Sequence, residues 1–218
     1  MELKKIINVL AQNGLLLSVH NCGEMNISSI SCDSRRVNKG ALFFVKGVGF
    51  KPEYLYKAFE LGAVCYVAEN EAKAYDQENI KEIKNTDTAA AVQGRKENSD
   101  ISDGKGKAPF IRVSSVRKAM PIVADLFYNS PARKYMLTGI TGTKGKTTVT
   151  YMLKNIFSTA FSEDKTGIIS TNEALCGSKS IEKTGTTPEA LELYGILNDF
   201  SENGIKAACM AVSYTHLA

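Results

Sequence analysis

The 218-residue sequence predicts an α/β fold in two parts, and three observations carry that reading. Strand and helix patterns alternate through the first third of the chain. A polar, glycine-containing stretch over 85–107 and a turn at NSPARK then interrupt the alternation. Beyond the turn, a glycine- and threonine-rich loop stands between a strand pattern and a helical one, as in the start of a mononucleotide-binding α/β domain of the P-loop type. The expected division is 1–132, a small N-terminal α/β domain, and 133–218, part of a central domain.

The elements follow in order. MELKKIINVLAQNGLLLSV carries Lys4 and Lys5 ahead of apolar residues, as a signal peptide would, but Gln12 and Asn13 interrupt it. Leu3, Ile6, Ile7 and Leu10 share one helical face, so the run reads as an amphipathic first helix. ALFFVKG gives a buried strand over 41–45, EYLYKAFELGA a helix ending near Gly62, and AVCYVAE the next strand. The stretch 85–107 is nearly free of large apolar residues and reads as a mobile surface insertion. FIRV is a strand, and SSVRKAMPIVADLFY a helix capped by Ser114 or Ser115. Pro121 falls past the first turn of that helix and predicts a kink or a later start. No internal repeat is present.

Composition narrows the function. Hydrophobic residues are 44% and charged residues 23%, and the net charge of +4 is scattered rather than striped. That argues against nucleic acid and suits a phosphate-bearing small molecule. The five cysteines, Cys22, Cys32, Cys65, Cys176 and Cys209, form no C-x-x-C pair, and the only histidines are His20 and His216. Neither a disulfide framework nor a zinc site is indicated, and free thiols in a reducing cytoplasm are expected. No apolar run approaches a membrane span.

The loop lies in YMLTGITGTKGKTTVTYMLKNIF, residues 135–157. The strict pattern G-x-x-x-x-G-K-[ST] requires glycine six places before Lys146, where Ile140 stands. Context restores the reading. YMLTGI suits a short buried strand, and Val149, Met152, Leu153, Ile156, Phe157 and Ala160 recur at helical spacing. Unpaired N–H groups at a helix N-terminus attract phosphate. Gly142 and Gly145 let the backbone approach, and Thr143, Lys144 and Thr148 complete the loop. Lys146 would reach the terminal phosphates, and the Thr147 hydroxyl would ligate Mg²⁺. An ordinary strand-to-helix turn with exposed lysines is the plain alternative.

T-G-T-x-G-K-T-T resembles the loop of the Mur ligases, ATP-dependent amino-acid-adding enzymes of peptidoglycan synthesis. Lys144 departs from the asparagine common there. Two further segments resemble the same family. CDSRRVNKGALFFVKGVGF is similar to the D-S-R-x-V-x-x-G-x-L-F segment of its N-terminal domains, which grips UDP. The resemblance implies UDP contacts at Cys32 and Ser34, and at Val48, Gly49 and Phe50 in a loop that is shorter here. Read from the residues alone, Asp33, Ser34 and Arg35 are a polar turn between two strands. TGTTPEALELYGILNDF has Thr187 as N-cap, Pro188 at the first helical position, and Ala190, Leu193, Tyr194, Leu197 and Phe200 on the buried face. T-T-P-[DE]-A also resembles the third-amino-acid-adding branch, the UDP-N-acetylmuramoyl-tripeptide synthetases, and implies that Thr186 and Thr187 touch the substrate.

In that family the last strand continues as M-E-V-S-S, with a magnesium-binding glutamate and a substrate-binding serine. Here Ala211 replaces the glutamate, and Ser213 stands at a serine position. VSYTHL is also what a transposon-type sequencing adaptor encodes in one frame. The expectation is therefore a chain truncated within the central domain, with 212–218 an artefactual tail and Ser213 a coincidence.

The resemblance implies an ATP- and Mg²⁺-dependent, cytoplasmic amide-forming ligase, with Lys146 as the catalytic cation that offsets charge on the transferring phosphoryl group. Its substrates would be UDP-MurNAc-L-Ala-D-Glu and a diamino acid, joined through an acyl phosphate, with the chain alone inactive. The alternatives are another member of the superfamily, or a nucleotide- or UDP-sugar-binding module without catalysis.

Overall fold

The computed structural model describes residues 1–47, 49–69, 108–185 and 187–213. The chain divides into two compact units, Met1–Ala119 and Met120–Ala218, each α/β. The expected insertion at 85–107, Val48, Thr186 and residues 214–218 lie outside the described residues.

In the first unit α1 (Leu3–Gln12) leads into β1 (Leu16–His20), β2 (Ser29–Ser31), β3 (Ala41–Phe44), α2 (Pro52–Glu60), β4 (Ala63–Ala68) and β5 (Phe110–Val113). The sheet order is β1-β5-β4-β3-β2, with β2 to β5 parallel and β1 antiparallel at the edge. All four residues of β3 are buried, which is why ALFF reads as an unbroken apolar run. α1 buries Leu3, Ile6 and Leu10, the face its spacing predicts. The helix ends earlier than the quoted run: the Asn13 and Gly14 N–H groups close on Val9 and Ala11 carbonyls, and LLSVH becomes β1. Pro52 at the first turn, Glu53 beside it and Lys57 in the last turn match the α2 dipole. Phe43, Leu55, Tyr66 and Phe110 build the core, with Tyr66 and Phe110 stacked at 5.0 Å. Burying each such side chain contributes about 1.5–3 kcal/mol.

α3 (Val116–Phe127) runs across the division between the units, with Pro121 inside it. The later start does not occur. Glu69 Oε1 accepts the Val116 N–H at 2.9 Å, and Ser115 Oγ accepts the Lys118 N–H at a longer 3.4 Å, so two N–H groups of the first turn find acceptors.

The second unit contains a 3₁₀ turn (Pro131–Arg133), β6 (Met136–Ile140), α4 (Lys146–Phe161), a second 3₁₀ turn (Glu163–Lys165), β7 (Thr166–Ile169), β8 (Ala174–Cys176), β9 (Lys179–Ile181), α5 (Ala190–Glu202) and β10 (Ala207–Ala211). The order is β6-β10-β7-β8-β9; β10 lies parallel between β6 and β7, while β8 and β9 are antiparallel.

The structure corrects the sequence reading of β6 and of α5, and it shows which face of α4 is buried. β6 is not buried: among the described strands it pairs with β10 alone, and Met136 is 53% exposed. The apolar stripe of α4 is not its buried face. Val149, Met152 and Ile156 are exposed, whereas Thr150 and Lys154 are buried. Thr150 Oγ1 donates to the Lys146 carbonyl at 2.7 Å, and Lys154 buries its stem while its ammonium reaches the Glu163 carboxylate. Polar groups with partners that close can occupy the sheet side of a helix. In α5, Leu191, Ile196, Leu197 and Phe200 are buried, whereas Ala190, Leu193 and Tyr194 are half-buried. The helix starts at Ala190 with Glu189 as N-cap, so Thr187 and Pro188 precede it.

Candidate functional site

The carboxyl ends of the parallel strands β6, β10 and β7 converge where open α/β sheets take ligands. From Ile140 the chain turns through the glycine-rich loop into α4. Gly145 is the N-cap, with φ 79°, and Gly142 has φ 152°; both conformations disfavour any side chain. The first helical N–H groups have no intrahelical acceptor, and no acidic residue occupies the first turn. That end therefore carries concentrated positive potential.

An open bay of about 510 Å³ lies against it, lined by Thr143, Lys144, Gly145, Lys146, Thr147, Thr148, Thr171 and Ser213. The volume suits a small ligand. Lys146 Nζ folds back and donates to the Gly142 carbonyl at 2.7 Å, which holds the ammonium over the loop. The Thr147 and Thr171 hydroxyls are 2.9 Å apart. The sequence does not single out Thr171. Its only signal there is a hydroxyl residue just after a buried strand, and Tyr151 and Ser170 help to order its turn through Glu173.

Thr187 does different work from capping. Its hydroxyl donates to the Ala211 carbonyl at 3.3 Å and accepts the Ser213 N–H at 2.9 Å. This ties the segment before α5 to the end of β10 and brings Thr187 and Ser213 together beside the bay. Side chains alternate along a strand, and Cys209 donates from its thiol to the Thr150 carbonyl, so Ala211 also faces α4. Among the described residues, no group of three or more His, Cys, Asp or Glu side chains could hold a metal ion. The donors at the bay are hydroxyls, backbone amides and lysine ammonium groups, a set that fits phosphate directly and a hard cation through Thr147.

In the first unit, the turn after β2 and the loop after β3 share the carboxyl edge of two paired parallel strands. Cys32 is partly buried and Ser34 buried at the turn; Gly49 is exposed, and the Phe50 ring packs on Phe43 and Tyr54. Asp33 organises the turn, accepting the Arg35 N–H and gripping its guanidinium through both carboxylate oxygens at 2.8–2.9 Å. The Arg35 hydrogen bonds hold the Asp33 carboxyl down at about 2. A depressed carboxyl contributes stability that is present above the ordinary range and is lost as pH falls through about 2. Arg35 is largely solvated and Asp33 partly so, and solvent screening keeps that contribution small. An NMR titration of Asp33 should show a midpoint near 2 in the parent and a return toward 3.8 in Arg35→Ala. An unchanged midpoint in the variant would remove Arg35 as the cause.

Residues 140–218 match the family model for the Mur ligase middle domain. Over 98% of its length the chain is 31% identical to the UDP-N-acetylmuramoyl-L-alanyl-D-glutamate--L-lysine ligase of Streptococcus pneumoniae serotype 2. The chain belongs to the Mur ligase family. A second Mur ligase, the UDP-N-acetylmuramoyl-L-alanyl-D-glutamate--2,6-diaminopimelate ligase of Clostridioides difficile, is 34% identical over 90% of the chain. The chain spans 39% and 34% of these two relatives. A solved UDP-N-acetylmuramoyl-L-alanyl-D-glutamate--2,6-diaminopimelate ligase shares the Mur ligase fold, with a TM-score of 0.57 and 16% identity over 87% of this chain and 32% of that one.

Proposed function

We propose that the chain acts within an ATP-dependent ligase of peptidoglycan precursor synthesis that adds a diamino acid to UDP-MurNAc-L-Ala-D-Glu in the cytoplasm. The observation that carries this reading is the bay at the α4 N-terminus, with Lys146 held over it and Thr147 and Thr171 facing each other. Amide formation from a carboxylate needs a leaving group better than oxide. ATP would transfer its terminal phosphoryl group to the D-glutamate side carboxylate, and the resulting acyl phosphate would yield to the incoming amine, releasing phosphate.

This chain's contribution is electrostatic. The loop amides and Lys146 offset charge on the transferring group, and Thr147 would hold Mg²⁺, which when bound neutralises phosphate oxygens. Thr187 and Ser213, tied together beside the bay, would meet the acceptor substrate, as would Thr186. Cys32, Ser34, Val48, Gly49 and Phe50 would meet its uridine diphosphate. The small side chain at Ala211, on the face toward α4, favours one second reading, a nucleotide-binding module that does not complete catalysis.

Calorimetric titration separates these. ATP and UDP-MurNAc-L-Ala-D-Glu are each expected to bind the purified chain, and the latter more tightly than UDP alone. Equal affinity for UDP and the muramoyl dipeptide would overturn the substrate assignment. The 218-residue chain by itself is expected to form no amide when both are supplied with a diamino acid, and detectable product would refute that.

A further inference from the structure

Two thiols lie together at the amino-terminal end of the first sheet's parallel strands, the end opposite the Ser34 turn. Cys22 follows β1 in a partly buried loop, and Cys65 is fully buried on β4. Their sulfur atoms are 3.7 Å apart although 43 residues separate them in sequence. The Cys22 thiol also lies 3.3 Å from the His20 carbonyl and 3.6 Å from the Phe110 carbonyl, which fixes it over the start of β5. A disulfide requires sulfurs about 2.0 Å apart, so roughly 1.7 Å of approach, within reach of side-chain rotation in a loop, would close the pair.

We propose that Cys22 and Cys65 form a reversible thiol–disulfide pair, with Cys22 the attacking thiol, Cys65 the resolving thiol, and a low-molecular-weight disulfide the oxidant. The Cys22 thiolate attacks one sulfur of R–S–S–R. That bond breaks, and the departing RS⁻ takes up the proton lost from Cys22. Cys65 then attacks the Cys22 sulfur of the mixed disulfide, forming the intramolecular bond and expelling a second RS⁻, which takes the Cys65 proton. Two thiols are oxidised, and one oxidant disulfide is reduced to two RSH.

The division of labour follows from the surroundings. The hydrogen bond from Cys65 favours the Cys22 thiolate and lowers its pKa, while the same bond and burial raise that of Cys65. The buried Cys209 thiol, by contrast, is pushed up to about 11 by desolvation, and burial raises that of Cys176. The new bond would close a long loop between β1 and β4 and leave both candidate ligand sites untouched, so it acts as a redox-dependent staple of the first unit.

The test incubates the whole chain with glutathione disulfide and maps peptides without reduction. A Cys22–Cys65 cross-linked peptide is expected, reversed by dithiothreitol and absent from Cys22→Ser, together with a rise of several degrees in Tm on oxidation. Cys65→Ser should instead accumulate glutathione on Cys22. A parent chain that stops at the Cys22 mixed disulfide would overturn the proposal, as would one that reacts at Cys32 and spares Cys22. If Cys65→Ser fails to fold, the parent peptide map decides alone.

Discussion

Lys146→Met is expected to weaken ADP binding about 10- to 100-fold, the worth of a hydrogen bond to a charged group. The variant should melt where the parent does. Lys146 is only partly buried, and its ammonium makes a 2.7 Å bond to the Gly142 carbonyl, a group at the loop surface. Nothing in the core depends on it. A diphosphate would replace that carbonyl with several charged oxygens, so the lysine contributes far more to the complex than to the free fold. Lys146→Arg should not rescue affinity, because a planar guanidinium cannot occupy the position of a point charge over a tight loop. Titration calorimetry at two salt concentrations checks both points. A loss under about twofold for Lys146→Met would mean that the helix amides alone hold the phosphates. A parent affinity that ignores salt would argue against a charge-based site.

The same loop shows how much of the site is legible in the sequence. G-K-T-T announces a phosphate site because few local solutions combine a tight turn, a cation and a helix start, and the missing glycine at Ile140 does not alter that geometry. Local chemistry is likewise enough for β3, α2 and the Asp33 turn. Three things are not local. Thr171 joins the bay only because β7 lies two places from β6 in the sheet, with β10 between them, a relation that no spacing rule supplies. Thr187 has every property of an N-cap, yet its hydroxyl is taken by the Ala211 carbonyl and the Ser213 N–H. The third is the buried face of α4. Periodicity marks which residues share a face but not which face meets the sheet, and Thr150 and Lys154 win that side through bonds to Lys146 and Glu163.

Phe200→Ala is expected to cost the second unit about 3–5 kcal/mol, the range for emptying a buried aromatic site. Phe200 is fully buried, and its ring lies against the face of Gly167 on β7 and edge-on to Tyr135 at 6.2 Å. A Cβ at position 167 would meet three ring carbons of Phe200 at 2.7 to 3.0 Å. Gly167→Ala alone should therefore destabilise by about 1–3 kcal/mol through overpacking. The two changes should not add. With the ring gone, the methyl introduced by Gly167→Ala enters the vacated space, and its cost should vanish or turn into a gain. Hydrogen exchange reports locally, so protection of the β7 and β10 amides is the appropriate readout for the second unit. The cycle also separates two reasons for glycine at this position. The backbone of Gly167 lies outside the left-handed region, so a steric origin predicts that Gly167→Ala is tolerated once Phe200 is truncated. If Gly167→Ala cost the same with and without the ring, the constraint would belong to the strand itself, and Phe200 would not be what requires a glycine there.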